Sequence, residues 1–352
     1  MKLSFFKNKR IFITGHTGFK GIWLTKTLLM AGAEVTGYSL PAPTKEGAEL
    51  CKRLKLDKDI NSVIGDVRDM QLLAEIFKSV QPDIVIHLAA QPLVLRSYQE
   101  PRYTYETNVM GTVNILECVR GSRTVKSFLN VTTDKVYLNR ECAEGYTEDE
   151  QLDGFDPYSN SKSCSELVTH SYKQSFFADG NIAISTARAG NVIGGGDFSE
   201  NRIIPDCVRA AIKGEKIKVR NPYSTRPYQH VLEPLFAYLL IAEEQYKDIA
   251  KSGWYNVGPD DEDCVTTGEL TDLFCKEWGQ GLSWQNVSVD NPHEANFLKL
   301  NSSKIKNTLG WRPRWHIQTA VEKTVEWAKV YQTGGNITEC MEKQIREYMA
   351  EV

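Results

Sequence analysis

The segment Y-S-N-S-K places a tyrosine and a lysine, Tyr158 and Lys162, four positions apart. On a helix, this spacing brings the phenol and the amine to one face. A tyrosine with the usual pKa of about 10 is a poor base at neutral pH, but a neighbouring ammonium favours its phenolate. The pair predicts a base that takes a proton from a substrate hydroxyl. The alternative is an exposed pair on an amphipathic helix, which is a common arrangement.

A glycine-rich segment, T-G-H-T-G-F-K-G at residues 14–21, lies well upstream of this pair. It spaces Gly15, Gly18 and Gly21 as G-x-x-G-x-x-G, after a β-branched run and at the start of a helical pattern. Such glycines permit a tight turn, a close approach to a pyrophosphate and close packing of the helix, whose N-terminus attracts phosphate. Asp66, in G-D-V-R-D after the third predicted strand, supports the same interpretation. The segment predicts a dinucleotide site; the alternative is that the glycines only form a turn.

The end of the second predicted strand bears on which dinucleotide binds. It reads G-Y-S-L-P and places Ser39 where an NAD site usually has an acidic residue for the ribose hydroxyls. No arginine stands there to bind a 2′-phosphate. We therefore expect NAD rather than NADP, with a weaker grip on the ribose.

Composition argues against several other classes of protein. The 42 basic and 45 acidic residues give a net charge of −3, and no basic run indicates a nucleic-acid surface. The 8 cysteines form no C-x-x-C pair, so we predict no metal site. The first ten residues carry charges where a secretory signal would be apolar, and no apolar stretch is long enough to span a membrane. We expect a cytoplasmic protein with reduced thiols.

Strands and helices alternate in the first half of the chain. Strand-like runs lie at residues 10–15, 34–38, 62–64, 83–89, 127–132 and 182–189, with helical patterns at 19–31, 70–80 and 107–121. This alternation predicts an α/β fold with a doubly wound parallel sheet, that is, a Rossmann domain. We place the NAD-binding Rossmann domain at residues 1–190, with residues 230–258 returning to it. A smaller C-terminal α/β domain, mainly at residues 191–352, is expected to bind substrate.

Seven segments together resemble a known family, and the resemblance covers almost the whole chain. They are residues 14–21 (T-G-H-T-G-F-K-G), 87–94 (H-L-A-A-Q-P-L-V), 131–137 (V-T-T-D-K-V-Y), 156–162 (D-P-Y-S-N-S-K), 188–197 (R-A-G-N-V-I-G-G-G-D), 220–231 (R-N-P-Y-S-T-R-P-Y-Q-H-V) and 310–315 (G-W-R-P-R-W). The chain is similar to the extended short-chain dehydrogenases/reductases and, within them, to the nucleotide-sugar 4,6-dehydratases. His16 with Lys20, Asp134 with Lys135, and the T-R-P-Y-Q-H-V segment point to the branch that acts on CDP-sugars. The resemblance thus implies CDP-glucose as the substrate.

The resemblance also implies a sequence of chemical steps. Tyr158, as phenolate, takes the proton of the glucose 4-hydroxyl while a hydride leaves C4 for NAD, and Thr133 hydrogen-bonds the same oxygen. The 4-ketone makes the C5 proton acidic, water is lost from C5 and C6, and the hydride returns to C6. The product is a 4-keto-6-deoxy sugar of the kind used in surface polysaccharides.

Asp134 and Lys135 distinguish this chain from related dTDP-sugar dehydratases, which carry Asp-Glu there. The resemblance implies that Asp134 is the acid that protonates the leaving 6-hydroxyl. Lys135 then acts as the C5 base, which requires a lowered pKa, or it stabilises the enolate while another group takes the proton. A purely structural Asp–Lys ion pair is the alternative.

Two sets of binding residues follow from the resemblance. The residues expected around NAD are Gly15, His16, Thr17, Gly18, Phe19, Lys20, Gly21, Asp66, Val67, Leu88, Ala89, Ala90, Gln91, Asn108, Tyr158 and Lys162. The residues expected around the nucleotide sugar are Gln91, Ser97, Thr133, Asn191, Arg202, Arg226 and His293. Arginines suit the two phosphates. The alternatives are that Arg202 forms a surface ion pair and that His293 is a solvated loop residue.

The resemblance implies a homodimer, because relatives pair through two helices per subunit; a tetramer is the alternative. We expect neither a nucleic-acid nor a membrane partner. Other functions share the glycine segment, Tyr158 and Lys162. A nucleotide-sugar 4-epimerase would have no use for Asp134 and Lys135, and a dehydratase of another nucleotide sugar also stays open. A non-catalytic nucleotide sensor is expected to lack Tyr158 or Lys162, and both are present.

Overall fold

A computed structural model describes residues 3–178, 180–287 and 297–350. Its strands are β1 (Arg10–Thr14), β2 (Glu34–Ser39), β3 (Asn61–Ile64), β4 (Ile84–His87), β5 (Ser127–Thr133), β6 (Ala183–Ala189), β7 (Val192–Ile193), β8 (Ile217–Val219), β9 (Thr225–Pro227), β10 (Gln229–His230), β11 (Trp254–Val257), β12 (Cys264–Thr266) and β13 (Trp284–Asn286). Its α-helices are α1 (Phe19–Met30), α2 (Lys45–Arg53), α3 (Leu56–Asp59), α4 (Met70–Val80), α5 (Val94–Gln99), α6 (Pro101–Tyr105), α7 (Gly111–Arg120), α8 (Pro157–Phe176), α9 (Ile203–Lys213), α10 (Leu232–Lys247), α11 (Thr267–Trp278), α12 (Ser303–Leu309), α13 (Ile317–Gln332) and α14 (Ile337–Ala350).

The central feature of the fold is a 7-stranded parallel sheet with the order β11-β6-β5-β4-β1-β2-β3. The strand order reverses beside β1, where the chain leaves β3 and returns as β4 on the other side. Thr14 at the end of β1 pairs with Tyr38 of β2 and His87 of β4, so these strands end at the same edge. Ligands of open α/β sheets bind in the crevice at such a reversal. The prediction of an α/β fold with a doubly wound parallel sheet is confirmed.

Apolar side chains cover both faces of the sheet. Ile11 and Ile13 of β1 belong to a core with α1 and α10, whereas Phe12 belongs to the opposite core with α4 and α7. This division follows from the two-residue repeat of a strand. A strand buried on both faces reads as a continuous apolar run, and this is how β1 reads in the sequence.

The second half of the chain contributes to two regions. α10 packs on β5 and β6, and β11 extends the sheet beside β6. A separate apolar cluster joins α9, α11 and α13 around short strands paired outside the main sheet. The proposed division near residue 190, with residues 230–258 returning to the sheet, stays a prediction.

One helix differs from its predicted form. The helical pattern at residues 107–121 begins with a π-helical turn, Glu106–Met110, before it continues as α7. Single π turns inside helices often occur at functional sites. Asn108 lies in this turn and is buried. Within the described ranges, the structure contains no helix that is both long and apolar enough to cross a membrane.

Candidate active site

The three glycines between β1 and α1 have different surroundings. Gly15 has φ +82°, and a Cβ there would lie 2.8 Å from the backbone nitrogen of Ala89. A Cβ on Gly21 would lie 2.1 Å from the carbonyl oxygen of Gly15. Gly18 is different, because its Cβ would meet only that same oxygen, at 3.5 Å. Gly15 and Gly21 are therefore required by packing, whereas Gly18 leaves open space at the N-terminus of α1, as a phosphate requires.

Polar side chains lie between this turn and the ends of β2 and β3. The Thr17 hydroxyl is 2.8 Å from that of Ser39 and donates to the carbonyl of Leu40. His16 is buried, with its Nε2 2.8 Å from the Ser62 hydroxyl, and burial lowers its pKa to about 4. Ser39 thus lies beside the glycine turn, where the sequence places the ribose. Phe19 opens α1 and packs against the apolar core.

Asp66 and Val67 follow β3 at the same edge of the sheet. Partial burial opposes ionisation of Asp66, but the hydrogen bonds and charge of Arg68 outweigh it and lower the pKa of Asp66. Val67 is buried against Gly111, and its carbonyl accepts a hydrogen bond from Asn114.

The residues after β4 are fixed by buried hydrogen bonds. Leu88 donates its backbone N–H to the Thr14 carbonyl, and Ala89 donates to the Thr14 hydroxyl; Ala90 follows them. The Asn108 carboxamide accepts from the backbone of Gln91 at 2.8 Å and donates to the Ser161 hydroxyl on α8. Asn108 therefore ties the loop after β4 to the helix that carries Tyr158.

Gln91 and Ser97 are both buried and hydrogen-bonded within the protein. The Gln91 amide donates to Thr104 Oγ1 and the Leu93 carbonyl, and it accepts from the Leu93 N–H. The Ser97 hydroxyl donates to the Val94 carbonyl. A direct contact between these side chains and a sugar stays a prediction, and it would compete with these bonds.

Tyr158 and Lys162, the predicted catalytic pair, are positioned by the start of α8. Asp156 is the N-cap residue, and its carboxylate accepts from the N–H groups of Tyr158 and Ser159 at 3.0 Å. Pro157 follows at the first helical position, where proline is favoured. The local sequence thus places Tyr158 in the first turn of α8, close enough to Thr133 at the end of β5 for that residue to affect its pKa.

Burial is the largest cause of the pKa shifts of both Tyr158 and Lys162. It raises the pKa of Tyr158 to about 12, against the opposing effects of the Thr133 hydrogen bond and the charge of Arg202. It lowers the pKa of Lys162 to about 8, against the opposing charge of Glu166. The Lys162 ammonium donates to the Val131 carbonyl at 3.1 Å. Tyr158 is thus a phenol in this structure, and further positive charge beside it is needed for the phenolate.

Asp134 and Lys135 lie directly beside this pair. Thr133 Oγ1 donates to Asp134 Oδ1 at 2.8 Å. Lys135 Nζ lies 3.5 Å from the same oxygen and donates to the Asn191 side chain at 3.3 Å. The other oxygen, Asp134 Oδ2, is buried and has no hydrogen-bond partner among the described residues. A buried acid with one free oxygen is suited to act on a bound group.

Positive charge converges on the same place. Burial lowers the pKa of Lys20 to about 7, and the charges of Arg202, Lys162 and Lys135 add to this effect. Lys20 Nζ donates to the Tyr238 hydroxyl at 3.4 Å, and Arg202 pairs with Asp197 at 3.0 Å. Cations brought this close together repel one another, so the arrangement favours an anionic ligand.

The remaining predicted substrate residues lie in or near the second half. Arg226 is buried in β9, and the following Pro227 packs closely on Gly190, next to Asn191. β9 therefore runs beside the residue that accepts from Lys135. His293 lies outside the described residues.

The sequence analysis missed the groups that support the site. Glu166 and Arg188 form a fully buried ion pair, 2.9 Å apart, and Glu166 also accepts from Thr132 and Thr186. The sequence signal that could have identified Glu166 is its position four residues after Lys162, on the same face of α8. Tyr238, the partner of Lys20, is too distant in sequence to be paired by spacing. Asp197 is only five residues before its partner Arg202, but the two do not lie on a common helix.

Comparisons with known proteins agree with this geometry. The sequence profile of the GDP-mannose 4,6 dehydratase family matches residues 12–324. The CDP-glucose 4,6-dehydratase of Salmonella typhimurium is 45% identical over 99% of this chain and 98% of the relative. A dTDP-glucose 4,6-dehydratase of Xanthomonas campestris is 27% identical over 91% of this chain and 93% of its own.

A solved structure shows the same fold. The dTDP-glucose 4,6-dehydratase of Streptomyces venezuelae, crystallised with NAD, superposes with a TM-score of 0.79 at 24% identity, over 94% of this chain and 99% of that one. The resemblance found in the sequence is thereby confirmed. This chain belongs to the nucleotide-sugar 4,6-dehydratase family of the short-chain dehydrogenases/reductases.

Proposed function

We propose that this protein is an NAD-dependent CDP-glucose 4,6-dehydratase. It converts CDP-D-glucose to CDP-4-dehydro-6-deoxy-D-glucose and water. The observation that carries the proposal is the buried Asp134, which accepts a hydrogen bond from Thr133 and has one oxygen without a partner in the described part of the chain. An epimerase needs no such acid. The 45% identity to a CDP-glucose 4,6-dehydratase supports the choice of nucleotide.

The residues present fit a dinucleotide. The open side of Gly18 and the N-terminus of α1 would receive its phosphates, and Ser39 with Thr17 would face the adenosine ribose. Lys162 would hold the nicotinamide ribose. When bound, NAD supplies the acceptor for the C4 hydride and later the donor to C6.

The side chains of the site divide the proton chemistry between them. Tyr158 takes the 4-hydroxyl proton, and the ammonium of Lys162 favours its phenolate. Asp134 protonates the departing 6-hydroxyl. Lys135, one residue further on, lies at the same carboxylate and serves the transfer of the C5 proton. Asn191 holds the Lys135 amine in this position.

The cations of the site would bind the diphosphate of the substrate. Arg202 is near Tyr158, and Arg226 lies on β9 beside Asn191. Guanidinium groups bind phosphate oxygens through paired hydrogen bonds. We assign Arg202 and Arg226 to the two phosphates.

A panel of nucleotide sugars tests this function. Purified protein with NAD is incubated separately with CDP-, dTDP-, UDP- and GDP-glucose, and products are identified by mass spectrometry and by the ultraviolet absorbance of the 4-keto sugar in alkali. We expect loss of one water, fastest from CDP-glucose. Turnover of a different nucleotide sugar, with none of CDP-glucose, would refute the substrate assignment. A product of unchanged mass would indicate an epimerase.

We also propose that the enzyme is a cytoplasmic homodimer. α8 packs beside α7, and large apolar side chains on α8 and on the π turn that precedes α7 stay exposed in the single chain: Met110 is 50% exposed, Leu167 53% and Phe176 50%. Exposed apolar surface of this kind is typical of an interface. The 8 cysteines are free thiols, which suits a reducing compartment.

A further inference from the structure

The loop between β7 and α9, residues 194–202, starts from a rigid base. Its Gly195 carbonyl accepts a hydrogen bond from the Trp23 indole on α1 at 2.8 Å. A Cβ on Gly195 would lie 2.0 Å from the Trp327 ring on α13, so the backbone packs directly on that ring. The start of this 194–202 loop is therefore fixed between two helices of the core.

Two arginines outside the 194–202 loop hold its second half. Arg209 on α9 donates to the carbonyl oxygens of Phe198 and Ser199 at 3.3 and 3.0 Å. Arg220, which follows β8, donates to the Asn201 carbonyl at 3.1 Å. These hydrogen bonds fix the backbone of the loop, so the side chains that it carries start from defined positions.

Asp197 joins this backbone to Arg202. Its side chain is only 4% exposed; Oδ1 accepts from the Ser199 N–H at 3.0 Å, and Oδ2 accepts from the Arg202 guanidinium at 3.0 Å. Because one oxygen is tied to the backbone, the other is held in place. Within residues 3–178, 180–287 and 297–350, this is the one hydrogen bond of the Arg202 side chain, of which 37% stays exposed. The other N–H groups of the guanidinium are left for a ligand.

The same loop borders the cofactor turn and the predicted catalytic residues. Asp197 and Thr17 line one small cavity, which places the loop against the glycine turn before α1. Arg202 is near enough to Tyr158 and Lys20 for its charge to act on both. The guanidinium that Asp197 holds therefore lies where the diphosphate of the substrate is proposed to bind.

We propose that Asp197 is a positioning residue that aims Arg202 at the substrate diphosphate. This inference rests on the proposed function, which assigns Arg202 to a phosphate. A free arginine side chain has many rotamers, and ordering it when a ligand binds costs free energy. Asp197 orders Arg202 before the substrate arrives, so more of the phosphate contact appears as affinity. Cancellation of the Arg202 charge by the carboxylate would act in the opposite direction, and neutral variants of Asp197 tell the two effects apart.

Two variants remove the aspartate charge and keep the loop. Asp197→Asn and Asp197→Ser lose the ion pair, but each can still accept the Ser199 N–H. Asp83→Asn is the matched control, because Asp83 also binds a backbone N–H and a guanidinium, both of Arg10, at the opposite edge of the sheet. Thermal melting establishes that each variant is folded.

Calorimetry measures the binding of CDP, which carries the diphosphate but no sugar to be converted. We expect the Kd of CDP to rise about 10-fold in both Asp197 variants, as for the loss of a hydrogen bond to a charged group, and to stay unchanged in Asp83→Asn. In steady-state kinetics with CDP-glucose, KM should rise by a similar factor. The value of kcat should stay near that of the wild type, because the diphosphate does not react.

A double variant tests whether Asp197 acts through Arg202. Arg202→Gln alone is expected to weaken CDP binding. Asp197→Asn added to Arg202→Gln should weaken it no further, because the group that Asp197 positions is already gone. A purely structural aspartate would instead cause a loss in both backgrounds.

Three results would overturn the positioning role alone: CDP binding by Asp197→Asn that is unchanged or tighter, a further loss in the double variant, or a fall in kcat with unchanged KM. If the wild type bound CDP but dehydrated no CDP-glucose, the proposed function would fail, while calorimetry would still decide the role of Asp197. A wild type that bound no CDP would overturn both.

Discussion

At the scale of single residues, the chemistry depends on charges that burial has shifted. Tyr158 is too weak an acid to ionise on its own, because burial raises its pKa to about 12. Lys162, one turn along α8, has its pKa lowered to about 8 by the same loss of hydration. The lysine is therefore an ammonium at neutral pH and close to losing its charge in mildly alkaline solution. In the proposed reaction its charge adds to that of Arg202, which lowers the pKa of Tyr158.

The shifted pKa of Lys162 predicts a pH limit on the activity. Because that pKa is below the ordinary lysine value, Lys162 is charged below about pH 8 and loses its proton as the pH rises through that value. We expect kcat/KM to fall there. Lys162→Arg keeps its charge and is expected to be slower but to lack this alkaline fall. A pH profile of both enzymes checks this, and an unchanged alkaline limb in Lys162→Arg would show that another group is responsible.

Some of these residues were identified from the sequence, and others were out of its reach. Tyr158 and Lys162 were predicted from their spacing along one helix, and Asp134 was predicted from the resemblance to a known family. The contacts of Lys20 with Tyr238 and of Lys135 with Asn191 join residues far apart in the chain. Such pairs depend on tertiary packing, which local patterns do not specify.

At the scale of elements, α8 is attached to the sheet by the Glu166–Arg188 pair. Both side chains are fully buried, and the Arg188 charge, with hydrogen bonds, holds the pKa of Glu166 at about 2 despite burial. Removing one partner leaves a buried charge without compensation, whereas replacing both can be nearly neutral.

This asymmetry predicts the effect of three substitutions on stability. Arg188→Met is expected to lower the free energy of unfolding by about 3–5 kcal/mol. The double variant Glu166→Gln/Arg188→Met should recover most of that loss. Arg120→Met breaks an exposed pair with Glu117 on α7 and should cost less than about 1 kcal/mol. Urea denaturation measures all three, and a double variant less stable than Arg188→Met would contradict the explanation.

The glycine turn before α1 predicts two different phenotypes. Gly21→Ala would put a methyl group 2.1 Å from the Gly15 carbonyl oxygen, so we expect lower stability. The Cβ of Gly18→Ala fits at 3.5 Å from that oxygen but occupies the space left for phosphate. We expect Gly18→Ala to keep its melting temperature and to bind NAD more weakly. Calorimetry of melting and of NAD binding separates the two effects; equal loss of stability in both variants would argue against this assignment.

Element boundaries show where local sequence was sufficient. The helical pattern predicted at residues 19–31 is found as α1, Phe19–Met30, and Asp156-Pro157 at the start of α8 is a capping signal of the kind that local sequence contains. The π turn at Glu106–Met110 was missed because its residues fit an ordinary helix. It accompanies the bonds of Asn108 to Gln91 and Ser161, which only the folded chain brings together.

At the scale of the whole molecule, the exposed apolar side chains of α8 predict a dimer. Leu167→Glu would place a charge in the proposed interface, and we expect it to halve the mass measured by light scattering. Ile212→Glu is the matched control, because Ile212 is 45% exposed on α9, away from α7 and α8. A wild-type monomer, or a Leu167→Glu dimer as stable as that of Ile212→Glu, would contradict the assignment.

The overall architecture was predictable because it follows from alternation of strands and helices. The sequence analysis expected residues 230–258 to return to the sheet domain. The exact place of β11 beside β6 and of β9 beside the site depends on how the second half folds back. The arrangement that results places the Asp134 carboxylate, the Lys135 amine and the Tyr158 phenol at one edge of the sheet. This is the basis for a dehydratase rather than an epimerase.

The path of one hydrogen atom tests that central claim most directly. CDP-glucose carrying deuterium at C4 is converted by the enzyme with NAD, and NMR locates the deuterium in the product. A dehydratase transfers it from C4 to C6, so we predict a deuterated C6 methyl group and loss of one water. Tyr158→Phe should slow the conversion by about 10²–10⁴-fold, whereas Tyr172→Phe on the same helix should not. Deuterium found back at C4 of a sugar of unchanged mass would contradict the account.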